Sequence, residues 1–202
     1  MSLSELIVRR LEDFILSERN LLGTGTIRFT HEGEAARGYP YIRSSNEHFE
    51  RAMQHAISQL DQPVEMLRFL EVGSGIGTKT ELARLLGMQA TGLDFKQEYV
   101  DLAQELFPEC TFQQANALDF DYGSFDVVYY HQPLTTPELM FQLERRCLNQ
   151  LPAPSILVAT RLSPQLESQL AKLSQESSLV EIEIDAERLR GLHKQGPLTK
   201  QI

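Results

Sequence analysis

Cysteine is scarce in this chain. Its two residues, Cys110 and Cys147, show no C-x-x-C spacing and no neighbouring histidine cluster, so neither a zinc site nor a redox pair is expected and two buried thiols are. Long apolar runs are also missing: nowhere do roughly 18 consecutive apolar residues occur, which argues against a membrane-spanning helix. The amino terminus lacks the uninterrupted apolar stretch of a secretory signal, because Glu5, Arg9, Arg10, Glu12 and Asp13 fall where it would lie. A cytoplasmic location is the expectation. Basic residues are in deficit, with 19 Lys and Arg against 28 Asp and Glu and a formal net charge of −9. Affinity for a phosphate backbone comes largely from Lys and Arg displacing counterions, so nucleic acid is disfavoured as a partner. The first 55 residues, with seven Arg and no Lys against eight acids, make no basic patch by count. No internal repeat and no low-complexity segment is found.

What is present is an ordinary globular composition, 42% hydrophobic and 23% charged, in 202 residues: long enough for one α/β domain with a buried core, short for two. Leu3, Leu6, Ile7, Leu11, Phe14 and Ile15 recur at helical spacing behind Ser2-x-x-Glu5, which has the form of a capping box. From Gly23 to Arg43 the pattern dissolves into a glycine-bearing loop too long for a mere connection, of the kind that serves as a lid. Ser44-x-x-Glu47 opens a second helix through about Leu60, closed by Asp61-Gln-Pro63. We read 1–62 as a helical lid and 63–202 as the α/β domain. In the latter, strands are predicted near 66–72, 89–94, 110–114, 125–130, 154–160 and 179–184, with helices near 77–87, 97–107, 137–150 and 164–176. The regular alternation implies a parallel sheet covered on both faces. Thr136-Pro137 and Ser163-Pro164 make firm helix starts, a capping residue followed by a proline. The tail 185–202 reads as charged and then loose, with a break at Gly196-Pro197, and it leaves open whether Leu198 to Ile202 adds an edge strand.

The most specific segment is Glu71-Val-Gly-Ser-Gly-Ile-Gly77, directly after the apolar run Met66-Leu67-Arg68-Phe69-Leu70. A strand running into spaced glycines and then a helix lets backbone approach a nucleotide-like ligand closely. A dinucleotide site wants G-x-G-x-x-G, whose third glycine would fall at 78, where Thr78 stands. The next strand, Gln89 to Asp94, ends in an acid 17 residues after Gly77, at the sheet edge where open α/β sheets bind ligands. A carboxylate there is able to accept both hydroxyls of a ribose, or alternatively to cap the following helix.

Phe69-Leu-Glu-Val-Gly-Ser-Gly-Ile-Gly77 followed by Gly92-Leu-Asp94 resembles the class I S-adenosylmethionine-dependent methyltransferases, over roughly 65–160. The resemblance implies a single Rossmann-like α/β domain, with a mostly parallel sheet of six or seven strands, helices on both faces and the amino-terminal helical lid. It implies S-adenosyl-L-methionine as cofactor and S-adenosyl-L-homocysteine as product. By the family's pattern Glu71, with Gly73, Ser74, Gly75 and Gly77, lies at the cofactor's methionine end. Asp94 would hold the ribose, and Asn116 and Ala117 would contact the adenine amine and ring. Asn116 stands where the family usually has Asp, and an amide oxygen accepts the same hydrogen bond. Phe95 is placed either to touch the adenine face or to pack on a neighbouring helix. Lys79, at the helix start, reads as a solvated side chain.

Phe125-Asp-Val-Val-Tyr-Tyr130 runs into His131-Gln-Pro-Leu134, which by resemblance faces the methyl group. His131 is the candidate base, needed where the acceptor is a hydroxyl or an ammonium, or else it hydrogen-bonds the loop. Asp126 reads as structural. The Asn/Asp-Pro-Pro-aromatic tetrad of enzymes that methylate base amino groups is missing. Tyr39, Tyr41 and Arg43 in the lid, with Arg28 and Arg37, are candidates to grip an acceptor, as is Tyr130. The leading expectation is methyl transfer to a small molecule or protein. A non-catalytic methyltransferase-like module is the alternative, favoured by a terminal hairpin that looks truncated. An NAD(P)-dependent oxidoreductase is disfavoured by Thr78 and Glu71.

Overall fold

The computed structural model describes residues 44–176, 179–185 and 189–194. The expected helix over 3–22, the loop over 23–43 and the segment Leu198 to Ile202 lie outside them. In chain order the elements are helix α1 (Asn46–Ser58), β1 (Arg68–Val72), α2 (Thr78–Leu85), β2 (Gln89–Asp94), α3 (Gln97–Leu106), β3 (Thr111–Gln114), β4 (Val127–Tyr130), α4 (Pro137–Gln150), β5 (Ser155–Ala159), α5 (Pro164–Glu176), β6 (Leu179–Asp185) and β7 (Leu189–Lys194). Among the described residues no helix is long and apolar enough to cross a membrane.

The sheet has seven strands in the order β3-β2-β1-β4-β5-β7-β6, parallel from β3 through β5 and antiparallel where β7 inserts between β5 and β6. The truncated hairpin expected from sequence is thus corrected. Leu189 to Lys194 returns along β5 and β6, the charged tail having hidden a strand whose Gly191 and Leu192 are buried. β1 is central, and the chain winds outward from it first through β2 and β3 and then through β4 and β5. That leaves a topological switch point between β1 and β4, the place where such sheets bind ligands.

Strand parity sorts the core. Side chains alternate across a strand, so Phe69 and Glu71 share one face of β1 while Leu70 and Val72 share the other. Helix α1 lies on the first face, where Phe49 meets Phe69 (centroids 5.9 Å apart) and Tyr129 (4.9 Å) edge to face. On the second face Leu70, Val72, Val128, Tyr130, Leu157 and Ala159 join Leu143 and Cys147 of α4 and Leu166 of α5 in one buried cluster. Helix α4 starts at Pro137 behind the Thr136 cap, whose hydroxyl accepts from the Leu139 amide at 3.2 Å. Helix α1 is capped by Ser45, whose hydroxyl accepts from the His48 amide, one residue later than the Ser44 box predicts. Both cysteines are free and buried.

Asp126 closes the amino ends of β1 and β4. Its carboxylate accepts the Arg68 amide at 2.9 Å and the Arg68 guanidinium through both oxygens, at 3.0 and 2.9 Å. The pair sits at the opposite end of these strands from the glycine turn, and the structural reading of Asp126 follows from that geometry.

Candidate functional site

The site is built at the carboxyl ends of β1, β2 and β4. After β1 the chain turns through Gly73, Gly75 and Gly77, with φ of 74°, 52° and 84°. Two of these glycines are required by close protein contacts. A Cβ on Gly73 would come within 2.7 Å of the Pro133 Cβ, and one on Gly77 within 2.5 Å of the Phe112 ring. Phe112 also rests against Gly92, where a Cβ would lie 2.5 Å from it. Packing therefore accounts for part of the glycine pattern. The turn is anchored to β2 by the Gly73 and Ser74 amides, which both donate to the Leu93 carbonyl (2.8 and 2.9 Å).

Asp94, at the end of β2, accepts the Gly75 amide on one oxygen (2.8 Å) and the Lys96 amide on the other (2.9 Å). The carboxylate thus ties the glycine turn to the start of the segment before α3. Burial pushes its pKa up, and the Lys96 and Gly75 amides pull it down. Each carboxylate oxygen has two lone pairs, so both retain acceptor capacity. Next to it Phe95 is 44% exposed, one of only two large apolar side chains exposed among the described residues. Ser74 is 2% exposed and its hydroxyl has no hydrogen-bond partner among the described residues.

Glu71 points from β1 to the start of α2. Its Oε2 accepts both the Thr80 amide (2.8 Å) and the Thr80 hydroxyl (2.7 Å), so a strand carboxylate caps the helix that Gly77 leaves without a side-chain cap. Burial raises its pKa to about 7, against the opposing pull of Thr80 and of the Lys79 charge. The folded state therefore keeps a proton that the unfolded chain has released, and stability falls as pH rises from the ordinary carboxylate range toward 7. Glu71→Gln keeps an acceptor for Thr80, and its denaturation midpoint is expected to fall less than wild type's between pH 5 and 8. A wild-type slope unchanged in the variant would remove Glu71 as the cause.

Lys79 is not the solvated side chain expected. It is 5% exposed, its ammonium donates to the Ser44 carbonyl (2.9 Å) and the Asn46 amide oxygen, and it lies over the Phe49 ring, 5.9 Å from the centroid. It pins the start of α1 to the first turn of α2. No local pattern announces this, because the partners are more than thirty residues away in sequence.

Asn116 and Ala117 follow β3, held beside β2 by the Ala115 amide on the Asp94 carbonyl (3.0 Å). The Asn116 amide group is engaged in its own turn, accepting from the Leu118 amide (3.1 Å) and donating to Asp119 (2.7 Å). The Ala117 carbonyl is held by the Tyr122 hydroxyl (2.7 Å), and Arg146 of α4 grips the Asp119 and Phe120 carbonyls (2.8 and 2.7 Å). Arg146 is a positioning element that sequence reasoning missed, its signal being an arginine facing a loop 26 residues away.

After β4, His131 contacts the Thr160 hydroxyl through Nδ1 at 2.8 Å, and burial followed by the nearby Lys79 charge lowers its pKa. Gln132 has a φ of 48°, a left-handed conformation uncommon for a residue with a side chain, and it brings Pro133 onto Gly73. Tyr130 lies elsewhere. Parity turns it to the α4 face, fully buried, with its hydroxyl donating to Glu144 (2.7 Å), so the structure places it in the core and not on an acceptor path. Glu144 also accepts the Ser163 amide (2.7 Å) and the Ser163 hydroxyl, and burial raises its pKa. Tyr39, Tyr41 and Arg43 lie outside the described residues.

With this geometry in place, residues 69–150 match the methyltransferase-domain family. The sequence matches no curated protein. Similar solved structures include an RNA methyltransferase from Salinibacter ruber in complex with S-adenosyl-L-homocysteine (15% identity, 79% of this chain and 97% of that one, TM-score 0.55). Magnesium protoporphyrin IX methyltransferase from Synechocystis PCC 6803 with bound S-adenosylmethionine is another (14%, 77% and 87%, 0.55). A third is ribosomal protein L11 methylase from Lactobacillus delbrueckii subsp. bulgaricus (18%, 76% and 81%, 0.53). At such identities these likenesses speak for the fold alone. Over residues 69–150 the chain thus carries a segment that matches a methyltransferase domain, set in a Rossmann-like sheet.

Proposed function

We propose that the protein transfers the methyl group of S-adenosylmethionine to a small-molecule or protein acceptor at the carboxyl edge of β1 and β4. The observation that carries the reading is Asp94 at the end of β2, with acceptor capacity on both oxygens, beside an exposed Phe95. In this reading Asp94 holds the ribose hydroxyls and Phe95 covers the adenine face. The Ala117 amide and the Asn116 oxygen meet the ring edge. Ser74, a buried hydroxyl with no partner among the described residues, fits a polar ligand at the glycine turn, because an unpaired buried hydroxyl costs about 1–3 kcal/mol. Gly73, Gly75 and Gly77 shape the turn that, with Glu71, faces the methionine end.

When bound, the cofactor supplies a methyl group activated by a sulfonium sulfur. The protein's own task is to align the acceptor and keep water out. His131, whose pKa burial and the Lys79 charge lower, takes the proton of a hydroxyl or ammonium acceptor. The relatives' names span an RNA, a porphyrin and a ribosomal protein, so the fold leaves the acceptor open. The acidic chain, with its net charge of −9, favours a small molecule or protein over nucleic acid. The non-catalytic module loses its one ground, since β7 completes the sheet.

S-adenosylhomocysteine at about a hundred times its Kd is expected to add about 2.7 kcal/mol, which for a chain of this size raises Tm by about 5–10 °C. NAD should produce no shift. Absence of any S-adenosylhomocysteine shift in folded protein would sink the reading. Turnover over a panel of acceptors then separates enzyme from module.

A further inference from the structure

The parallel register of β4 and β5 pairs Tyr130 with Ala159, so the residues that follow the two strands, His131 and Thr160, emerge side by side at the carboxyl edge. The Thr160 amide approaches the Tyr130 carbonyl at 3.4 Å and its hydroxyl meets the His131 Nδ1 at 2.8 Å. An imidazole has two nitrogens, and only the one without a hydrogen accepts a proton. Whichever way a fixed partner engages Nδ1 therefore decides what Nε2 is able to do. A hydroxyl both donates and accepts, so the 2.8 Å contact is compatible with either sense. The proposed function selects one: a base at the methyl site needs its free nitrogen, Nε2, unprotonated.

We propose that Thr160 is a positioning residue that accepts a hydrogen bond from His131 Nδ1–H and so holds the imidazole in the tautomer whose Nε2 is the proton acceptor. This rests on the methyl-transfer reading of the site. The proton balance is complete without any further reactant. The acceptor's X–H electron pair stays on X and forms the bond to the methyl carbon, and the C–S pair leaves with sulfur as a neutral thioether. The released proton joins the Nε2 lone pair, giving an imidazolium whose Nδ1–H still rests on Thr160. The same bond limits rotation of the ring, a second contribution to alignment. It also narrows the chemistry: a tautomer set for proton removal serves acceptors that arrive as O–H or N–H, and is superfluous for one that arrives as an anion.

The test is the tautomer itself. Protein labelled with 15N at histidine is examined at pH 8 by long-range 1H–15N correlation, with His131 assigned by its loss in His131→Asn. The expected pattern for wild type is protonated Nδ1 and bare Nε2. Thr160→Val should abolish the single pattern, and Thr160→Ser should restore it. A protonated Nε2 in neutral wild-type His131, or a pattern unmoved in Thr160→Val, overturns the proposal. If Thr160→Val fails to fold, the wild-type spectrum and Thr160→Ser still decide it. Thermal stabilisation by S-adenosylhomocysteine, measured on the same samples, is expected to be unchanged by these substitutions. Its absence in wild type would strike the cofactor reading, while the tautomer result would stand on its own.

Discussion

Replacing Asp94 with Ala should weaken S-adenosylhomocysteine binding at least about a hundredfold by titration calorimetry. Hydrogen bonds to a charged partner contribute about 1.5–3 kcal/mol each, and two ribose hydroxyls on one carboxylate together exceed the roughly 2.7 kcal/mol that a hundredfold change requires. Asp94 has a second duty that the variant also removes, since its oxygens accept the Gly75 and Lys96 amides. Loss of binding through a loosened turn must therefore be separated from loss of the ribose partner. Asp94→Asn makes the separation. Its single carbonyl oxygen keeps one backbone amide and one ribose contact, while its NH2 group opposes the other amide, so an intermediate loss is expected. If both variants bind within a few-fold of wild type, Asp94 does not hold the ribose. If Asp94→Ala alone fails and also melts far below wild type, the turn is the cause.

Gly77→Ala is expected to destabilise the fold by about 3–5 kcal/mol in urea denaturation. Two costs combine. A residue with a side chain is strained at a φ of 84°, by about 1–3 kcal/mol, and the added Cβ would stand 2.5 Å from one Phe112 ring carbon and 2.6 Å from another. Overpacking a filled core costs about 1–3 kcal/mol. Trimming the ring relieves only the second cost. Phe112→Leu, itself destabilising, should therefore couple favourably with Gly77→Ala by about 1 kcal/mol or more in a double-mutant cycle. Strict additivity would show that Phe112 is not what the glycine accommodates. Against a total stability of about 5–15 kcal/mol the single substitution is a large fraction, so measurement at low temperature with cofactor present is advisable.

These two residues also show where sequence reading was complete and where it was not. Asp94 was legible as the acid that ends β2, because an apolar strand closing on a carboxylate is a local signal; its hold on the Gly75 amide was not. Gly77 was legible as a turn but not as the cavity for Phe112, a ring that sits 35 residues further on. The helices over 137–150 and 164–176 and the strand over 89–94 were readable to the residue because prolines, caps and alternating apolar positions are local signals. The last strand was not. Leu189 to Lys194 alternates weakly and carries charge, and only its pairing with β5 and β6 makes it a strand.

The same division runs through the site. Tyr130 sits at the carboxyl end of β4, one residue before His131, and proximity in sequence suggested a shared role. Parity sends it to the opposite face, where Glu144 takes its hydroxyl. Lys79 read as solvated because a lysine in the first turn of a short helix usually is. A carbonyl, an amide oxygen and an aromatic face from the start of α1 make burial tolerable, and none of these is near it in sequence. Thr160 carried no motif at all, and its meeting with His131 is a consequence of strand register.

The sequence by itself determined the class of fold and the methyltransferase-domain match over residues 69–150. These rest on short-range features, a strand, a glycine turn and an acid, whose physical meaning is contained within about 25 residues. Only the tertiary structure decided which groups are buried, which nitrogen of His131 has a partner, how Lys79 is anchored and where the final strand lies. Those properties are set by desolvation and by contacts between segments far apart in the chain, and a one-dimensional pattern does not encode the distance between them.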